Sequence, residues 1–183
     1  MPDRAPSAGA FPESLRSGTG AACGFLPAVP RDEAGWEAAL KDAAAASTPA
    51  STELAEVLAE RQRAPATGAR AEAAARRLAQ PGTVVVVAGQ QPGLLGGFLL
   101  AFHKAAAAVN LARQLDGGGG VRVVPAFWLA SEDHDLDEAN RVVLLDRAGR
   151  PRRLRLDRRP DGRSLMHMPL EAGEVEALLR EVA

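Results

Sequence analysis

Thr83-Val84-Val85-Val86-Val87-Ala88 is an unbroken apolar run, rich in β-branched residues, that leads straight into Gly89-Gln90-Gln91-Pro92-Gly93-Leu94-Leu95-Gly96-Gly97. β-Branched side chains favour strands, and a strand without polar alternation is expected to be buried on both faces, as in a parallel sheet. An apolar helix is expected from Phe98 to Leu115, ended by Asp116 and four glycines, Gly117 to Gly120. Val121 to Trp128 reads as a second buried strand. Strand, helix and strand in this order make a βαβ unit with a right-handed crossover. The fold class is therefore α/β.

A helical lead-in precedes this unit. Residues 1–31 are rich in Gly, Pro, Ser and Ala and read as an irregular arm. Asp32 is placed to cap a helix through Trp36, Leu40 and Ala44, which Ser47-Thr48-Pro49 breaks. A second helix starts at Ser51 or Thr52. It carries Leu54, Val57 and Leu58 as one apolar stripe, and Ala64-Pro65 ends it. A third covers Gly68 to Ala79, and Pro81-Gly82 closes it.

After the second strand, Arg141–Asp146 and Arg152–Asp157 read as a hairpin added to the sheet, turning at Ala148-Gly149-Arg150-Pro151. Ser164–Pro169 reads as a short strand. Glu171–Val182 reads as an amphipathic helix with Val175, Leu178 and Leu179 on one face. That helix meets Ala183 without a cap, and one βαβ unit is a small part of a doubly wound sheet. The expectation is a truncated core: residues 1–80 as arm and lead-in, and 81–183 as the first part of the core domain.

Composition narrows the function classes. The 183 residues carry 22 Lys+Arg against 23 Asp+Glu, so net charge gives no reason to expect nucleic acid or an anionic membrane as partner. Arg147 to Arg159 contains seven arginines, but the aromatic partners for base stacking are missing. A solvated face or an interface is expected there. No apolar run reaches the roughly 18–20 residues that span a bilayer. MPDRAPSAGAF lacks the apolar stretch of a secretory signal, and the single cysteine, Cys23, fits a reducing compartment. A cytoplasmic protein is expected. Cys23 has no adjacent base, which argues against a nucleophile.

Two segments could carry chemistry. In open α/β sheets, ligands bind at the carboxyl ends of the strands. Gly89 to Gly97 lies at such an end. Its glycines allow close backbone approach, Gln90 and Gln91 offer uncharged amides, and the next helix offers free N–H groups to an anion. The run is neither G-x-G-x-x-G nor a Walker A motif. The plain alternative is a tight turn whose glycines serve geometry alone. Ser131-Glu132-Asp133-His134-Asp135 follows the second strand. Carboxylates crowded around one imidazole favour imidazolium, and suit general acid/base work or a divalent metal. The plain alternative is an acidic loop capping a helix at Asp135 or Asp137. Lys104 could reach back toward an anionic ligand or snorkel to solvent. His103 reads as a surface residue and His167 as structural.

Thr83–Gly97, then His103-Lys104-Ala105, then Val124–Asn140 resemble the BshC family of cysteine-adding ligases in motif order and spacing. The chain departs from the family's usual pattern at His103, where an aromatic residue is common, and at Gly96-Gly97-Phe98. The resemblance implies a Rossmann-like core domain, here partial. It implies a ligase that joins cysteine to glucosaminyl malate through an amide bond, the last step of bacillithiol biosynthesis, and so a role in low-molecular-weight thiols and redox homeostasis. Small-molecule substrates and a homodimeric parent protein are further implications. By resemblance, the substrate site draws on Gly89, Gln90, Gln91, Gly93, Gly96, Gly97, Lys104, Ser131, Glu132 and Asn140. The catalytic group is His134 with Asp133 or Asp135 orienting it. Amide formation from a free carboxylate needs activation, hence ATP or an activated cysteine donor, and no ATP motif decides between them. The competing readings are a metal-dependent hydrolase using Asp133-His134-Asp135 and a non-catalytic sugar- or nucleotide-binding module. This fragment alone could be inactive under any of these readings.

Overall fold

The computed structural model of the chain describes residues 13, 14, 17–19, 30–63 and 68–181. Most of the expected N-terminal arm, including Cys23, and the Ala64-Pro65 break lie outside the described residues. The chain forms two compact units. One takes the residues up to Val84 together with Leu115–Val123, and the other takes Val85–Gln114 and the residues from Val124 on.

In the first unit, α1 (Glu33–Ala46) begins at Asp32, whose carboxylate accepts the Gly35 N–H at 2.8 Å. α2 (Thr52–Arg61) begins at Ser51, whose hydroxyl accepts the Leu54 N–H at 3.1 Å. Both caps satisfy N–H groups that a helix start leaves free. α3 (Gly68–Arg77) packs against α2, and the residues these helices bury are Ala55, Ala59 and Ala75. The expected Leu54/Val57 stripe is not the contact, because both side chains stay about half exposed. Alanine lets two helix backbones approach closely, so the smallest side chains carry the contact and the larger ones are turned outward.

Asp116 ties the unit together at its far end. Its carboxylate accepts two guanidinium hydrogen bonds from Arg77, at 2.6 and 3.1 Å, and the Val123 N–H at 2.8 Å. These donors hold its carboxyl below the ordinary carboxylate range, Arg77 contributing most.

β1 (Thr83–Gln90) and β2 (Arg122–Leu129) pair as a parallel two-stranded sheet, and α4 (Leu99–Leu115) connects them. Both strands begin in the first unit and end in the second. β1 runs two residues beyond the apolar run, through Gly89 and Gln90. The expectation of strands buried on both faces is not met among the described residues. Val123 and Val124 are buried, but Val87 and Trp128 are each 64% exposed. A continuous apolar run reports what a strand can bury, and two strands alone do not supply a covering layer for both faces.

In the second unit, β3 (Arg141–Leu145) and β4 (Pro151–Arg155) form an antiparallel hairpin with Val142 opposite Leu154. The hairpin is a separate sheet and is not added to β1–β2, contrary to expectation. Its inner face supplies Val142 and Leu154 to a cluster with Leu94, Leu156 and Leu178. Burial against that cluster, rather than edge pairing with β2, fixes its position. The expected strand at Ser164–Pro169 is instead a single 3-10 turn, Leu165–His167, and His167 is exposed on it. α6 (Ala172–Arg180) starts with a reciprocal capping box between Glu171 and Glu174. Of its expected apolar face, Leu178 is buried while Leu179 is exposed.

Candidate functional site

The loops after β1 and β2 lie side by side. The Ala130 N–H donates to the Gln90 carbonyl at 3.1 Å. Close approach is possible because position 89 has no side chain: a Cβ on Gly89 would lie 2.8 Å from the Trp128 carbonyl oxygen. The first loop is pinched as well. A Cβ on Gly93 would lie 2.5 Å from the Gly97 Cα, and Gly97 has φ +72°. Between them Leu94–Gly96 forms a 3-10 turn in which Leu95 takes φ 53°, a left-handed conformation unusual for a branched side chain. Leu94 is buried in the hairpin cluster and anchors this turn.

Side-chain hydrogen bonds tie the first loop to α4. Lys104 Nζ, on the second turn of α4, donates to Gln90 Oε1 at 2.8 Å and to the Gly89 carbonyl at 3.3 Å. Gln90 Nε2 donates to Gln91 Oε1 at 2.7 Å. The Gln91 side chain also helps to hold the Asp133 carboxyl below its ordinary range. Since an ammonium only donates, Lys104 fixes the Gln90 amide, and through it the Gln91 amide, in one orientation. Asp133 also accepts the backbone N–H groups of His134, at 2.7 Å, and Asp135, at 3.1 Å. Its carboxyl is held below the ordinary carboxylate range, first by the Asp135 N–H and then by the His134 N–H and Gln91, against a desolvation cost that acts the other way. On its other side the acidic loop accepts two backbone bonds, Leu165 N–H to Asp133 O at 2.8 Å and Met166 N–H to Ser131 O at 2.9 Å.

A narrow cleft opens beside this relay. Gln90, Gln91, Gly93, Gly96 and Gly97, all expected in the site, line it. Pro92, Phe98, Ala101 and Glu138 line it too and were not expected. The signal for Glu138 was present in the sequence. Asp135 caps the short helix α5 (Leu136–Ala139) by accepting the Glu138 N–H at 3.0 Å, and Glu138 stands three residues after that cap.

The remaining expected residues are placed otherwise. Lys104 does not line the cleft and acts through Gln90. Gly89 serves the strand contact. Ser131 and Glu132 are outside the lining. Asn140 is 1% exposed, and its backbone joins α5 to the strand end at Leu156, so it sits beneath the hairpin rather than in the cleft. The Asn140 side-chain amide has no hydrogen-bond partner at either atom among the described residues. His134 is 80% exposed in its side chain, with Nδ1 4.0 Å from Asp133 Oδ1. That distance is too long for a hydrogen bond. Asp133 therefore holds the loop backbone and Gln91, while Asp135 caps α5, and neither carboxylate orients the imidazole. Among the described residues, no group of three or more His, Cys, Asp or Glu side chains converges as a metal site would require, so the arrangement gives the metal-hydrolase alternative no support. No helix is long and apolar enough to cross a membrane among the described residues.

Comparison with known proteins gives the family of the chain. A family model described as "Bacillithiol biosynthesis BshC, N-terminal Rossmann-like domain" matches residues 20–183. Proteins named "Putative cysteine ligase BshC" are similar over shorter stretches. The one from Heliobacterium modesticaldum is 47% identical over 76 residues, which are 42% of this chain and 14% of that protein. The one from Halalkalibacterium halodurans is 49% identical over 81 residues, 44% of this chain and 15% of that protein. The one from Bacillus cereus strain G9842 is 36% identical over 107 residues, 58% of this chain and 20% of that protein. The chain thus matches a fifth or less of the length of these relatives.

Proposed function

The chain belongs to the BshC family of bacillithiol biosynthesis, as its N-terminal Rossmann-like domain, and on that premise we propose that the full gene product is a ligase adding cysteine to glucosaminyl malate. The observation that supports this most directly is the pair of loops at the carboxyl ends of β1 and β2, joined by the Ala130 N–H on the Gln90 carbonyl, with the Lys104–Gln90–Gln91 chain beside a cleft. In this reading Gln90 and Gln91 hydrogen-bond the polar substrate, and the free N–H groups at the start of α4 receive a carboxylate of the malate part.

The reaction forms a bond between the glucosamine nitrogen and the carbonyl carbon of cysteine. The nitrogen's proton passes to His134, whose exposed ring is free to meet a substrate. The cysteine carboxyl oxygen leaves with its activating group, which ATP or a preformed activated cysteine supplies. The parent protein is read as a homodimer acting on these small molecules.

The test is a mass-spectrometric product assay on the full gene product with glucosaminyl malate and cysteine, with and without ATP. A product heavier than the acceptor by one cysteine residue, lost in His134→Ala with KM little changed, is the expected result. Equal loss of kcat and affinity would assign His134 to loop positioning instead. Absence of product under every condition would remove the ligase reading.

A further inference from the structure

The relay decides what the cleft can offer a ligand. The amide oxygen of Gln90 is taken by Lys104, and that of Gln91 by Gln90. The Gln90 amide nitrogen spends one N–H on Gln91 and keeps a second, and the Gln91 amide nitrogen keeps its own N–H groups to offer. Neither amide can flip without setting a donor against Lys104 or against the Gln90 amide nitrogen. The polar groups that Gln90 and Gln91 present to the cleft are therefore donors.

Glu138 is the opposite kind of group. It lines the same cleft, and its side chain is half-buried. In a reciprocal capping box it would reach back to the Asp135 N–H, but that N–H donates to Asp133 instead. The carboxylate of Glu138 has no hydrogen-bond or ion-pair partner among the described residues. The neighbouring Asp137 is occupied, since it accepts from Arg155 at 2.7 Å. Arginines are abundant in the hairpin that follows, yet none pairs with Glu138. The rest of the lining is the two amides, glycine and the apolar Pro92, Phe98 and Ala101, so the unpaired Glu138 is its one anionic side chain and is poised for a cation.

We propose that Glu138 is the ammonium-binding residue of this cleft, so that the cleft takes a primary amine carrying oxygen acceptors on its neighbouring atoms. The amine lies against Glu138, and the oxygens lie against the free N–H groups of Gln90 and Gln91. Which amine is bound rests on the ligase reading, where it is the acceptor nitrogen of glucosaminyl malate. A charged hydrogen bond at Glu138 then selects the free amine over an acylated one, so the cleft releases its own product once the nitrogen has become an amide.

The test uses the full gene product and two probes in calorimetry, glucosaminyl malate and its N-acetyl counterpart. The native protein is expected to bind the free amine at least about tenfold more tightly. Glu138→Gln, which keeps the shape, is expected to bind the two probes alike, with an unchanged circular dichroism spectrum. Asp137→Asn is expected to keep the native preference. Preference retained in Glu138→Gln, or no binding of the free amine by native protein, would overturn the assignment. The product assay separates this from the ligase reading. Cysteine addition that survives Glu138→Gln with unchanged KM sinks the cleft assignment alone. A preference lost in Glu138→Gln, without any cysteine-bearing product, leaves the cleft assignment standing and removes the ligase.

Discussion

Lys104 Nζ stands 2.8 Å from Gln90 Oε1, fifteen residues away from the Gly89 carbonyl that it also bonds, and by this contact a cation on α4 sets the polarity of the Gln90 and Gln91 amides. A lysine read from sequence as either a ligand contact or a solvated group is spent inside the protein.

Lys104→Met keeps much of the side-chain length and removes the ammonium. Gln90 and Gln91 are then free to flip, and the Asp133 carboxyl loses part of the hold that Gln91 exerts on it. The Asp133 pKa is expected to rise toward its ordinary value, which carboxyl carbon NMR on the full gene product would register. Turnover is expected to fall about tenfold or more through misplaced donors. An unmoved Asp133 titration would show that the relay does not extend through both amides.

The same carboxylate predicts a pH dependence. Asp133 is held below its ordinary range in the folded protein, so it contributes stability that is present above the unfolded value of about 3.9. That contribution fades as pH falls through the lower, folded value. The turn should persist at mildly acid pH and open only below it. Protection of the His134 and Asp135 amides, whose N–H groups Asp133 accepts, taken relative to the intrinsic exchange rate at each pH, should hold from neutrality down to mildly acid pH and be lost in strong acid. Protection lost already at a pH well above the ordinary carboxylate range would contradict this.

Gly93→Ala sets a methyl group 2.5 Å from the Gly97 Cα. The pinched loop must open to admit it. A cost of about 1–3 kcal/mol is expected in thermal or urea unfolding, with a larger effect on substrate binding than its modest size suggests. Ala at Gly173, which meets nothing within 4 Å, is the matched control.

Leu154 is 1% exposed and sits opposite Val142 at the centre of the hairpin cluster. Leu154→Ala is expected to cost about 2–5 kcal/mol. Because Leu94 belongs to the same cluster, the glycine loop should loosen together with the hairpin, and proteolysis near Leu95 should report it.

The strand–loop–helix–strand order, the cap at Asp32, a helix start at Ser51 or Thr52, and the place of Gln90, Gln91 and the loop glycines at a strand end were legible in the sequence. They depend on local chemistry: β-branching, side-chain oxygens before helices, and glycine where backbones touch. Choices made by tertiary packing were not legible. Alanines rather than Leu54 and Val57 carry the α2–α3 contact, and the hairpin joins Leu94 and Leu178 rather than the edge of β2. Adjacent charges make the acidic tetrapeptide visible in sequence, but the use of Asp133 and Asp135 as backbone acceptors depends on directions that spacing does not carry. Glu138 is one more acid in an acidic stretch, and spacing alone does not single it out.

The relay has a consequence for anyone who would transplant this site. The two loops lean on each other: the Ala130 N–H bonds the Gln90 carbonyl, and Gln91 helps to hold the Asp133 carboxyl below its ordinary range. Neither loop is a portable module, and a graft onto another parallel sheet would have to carry both loops, the lysine one turn into the helix, and a glycine where the neighbouring strand passes close enough to exclude a methyl group.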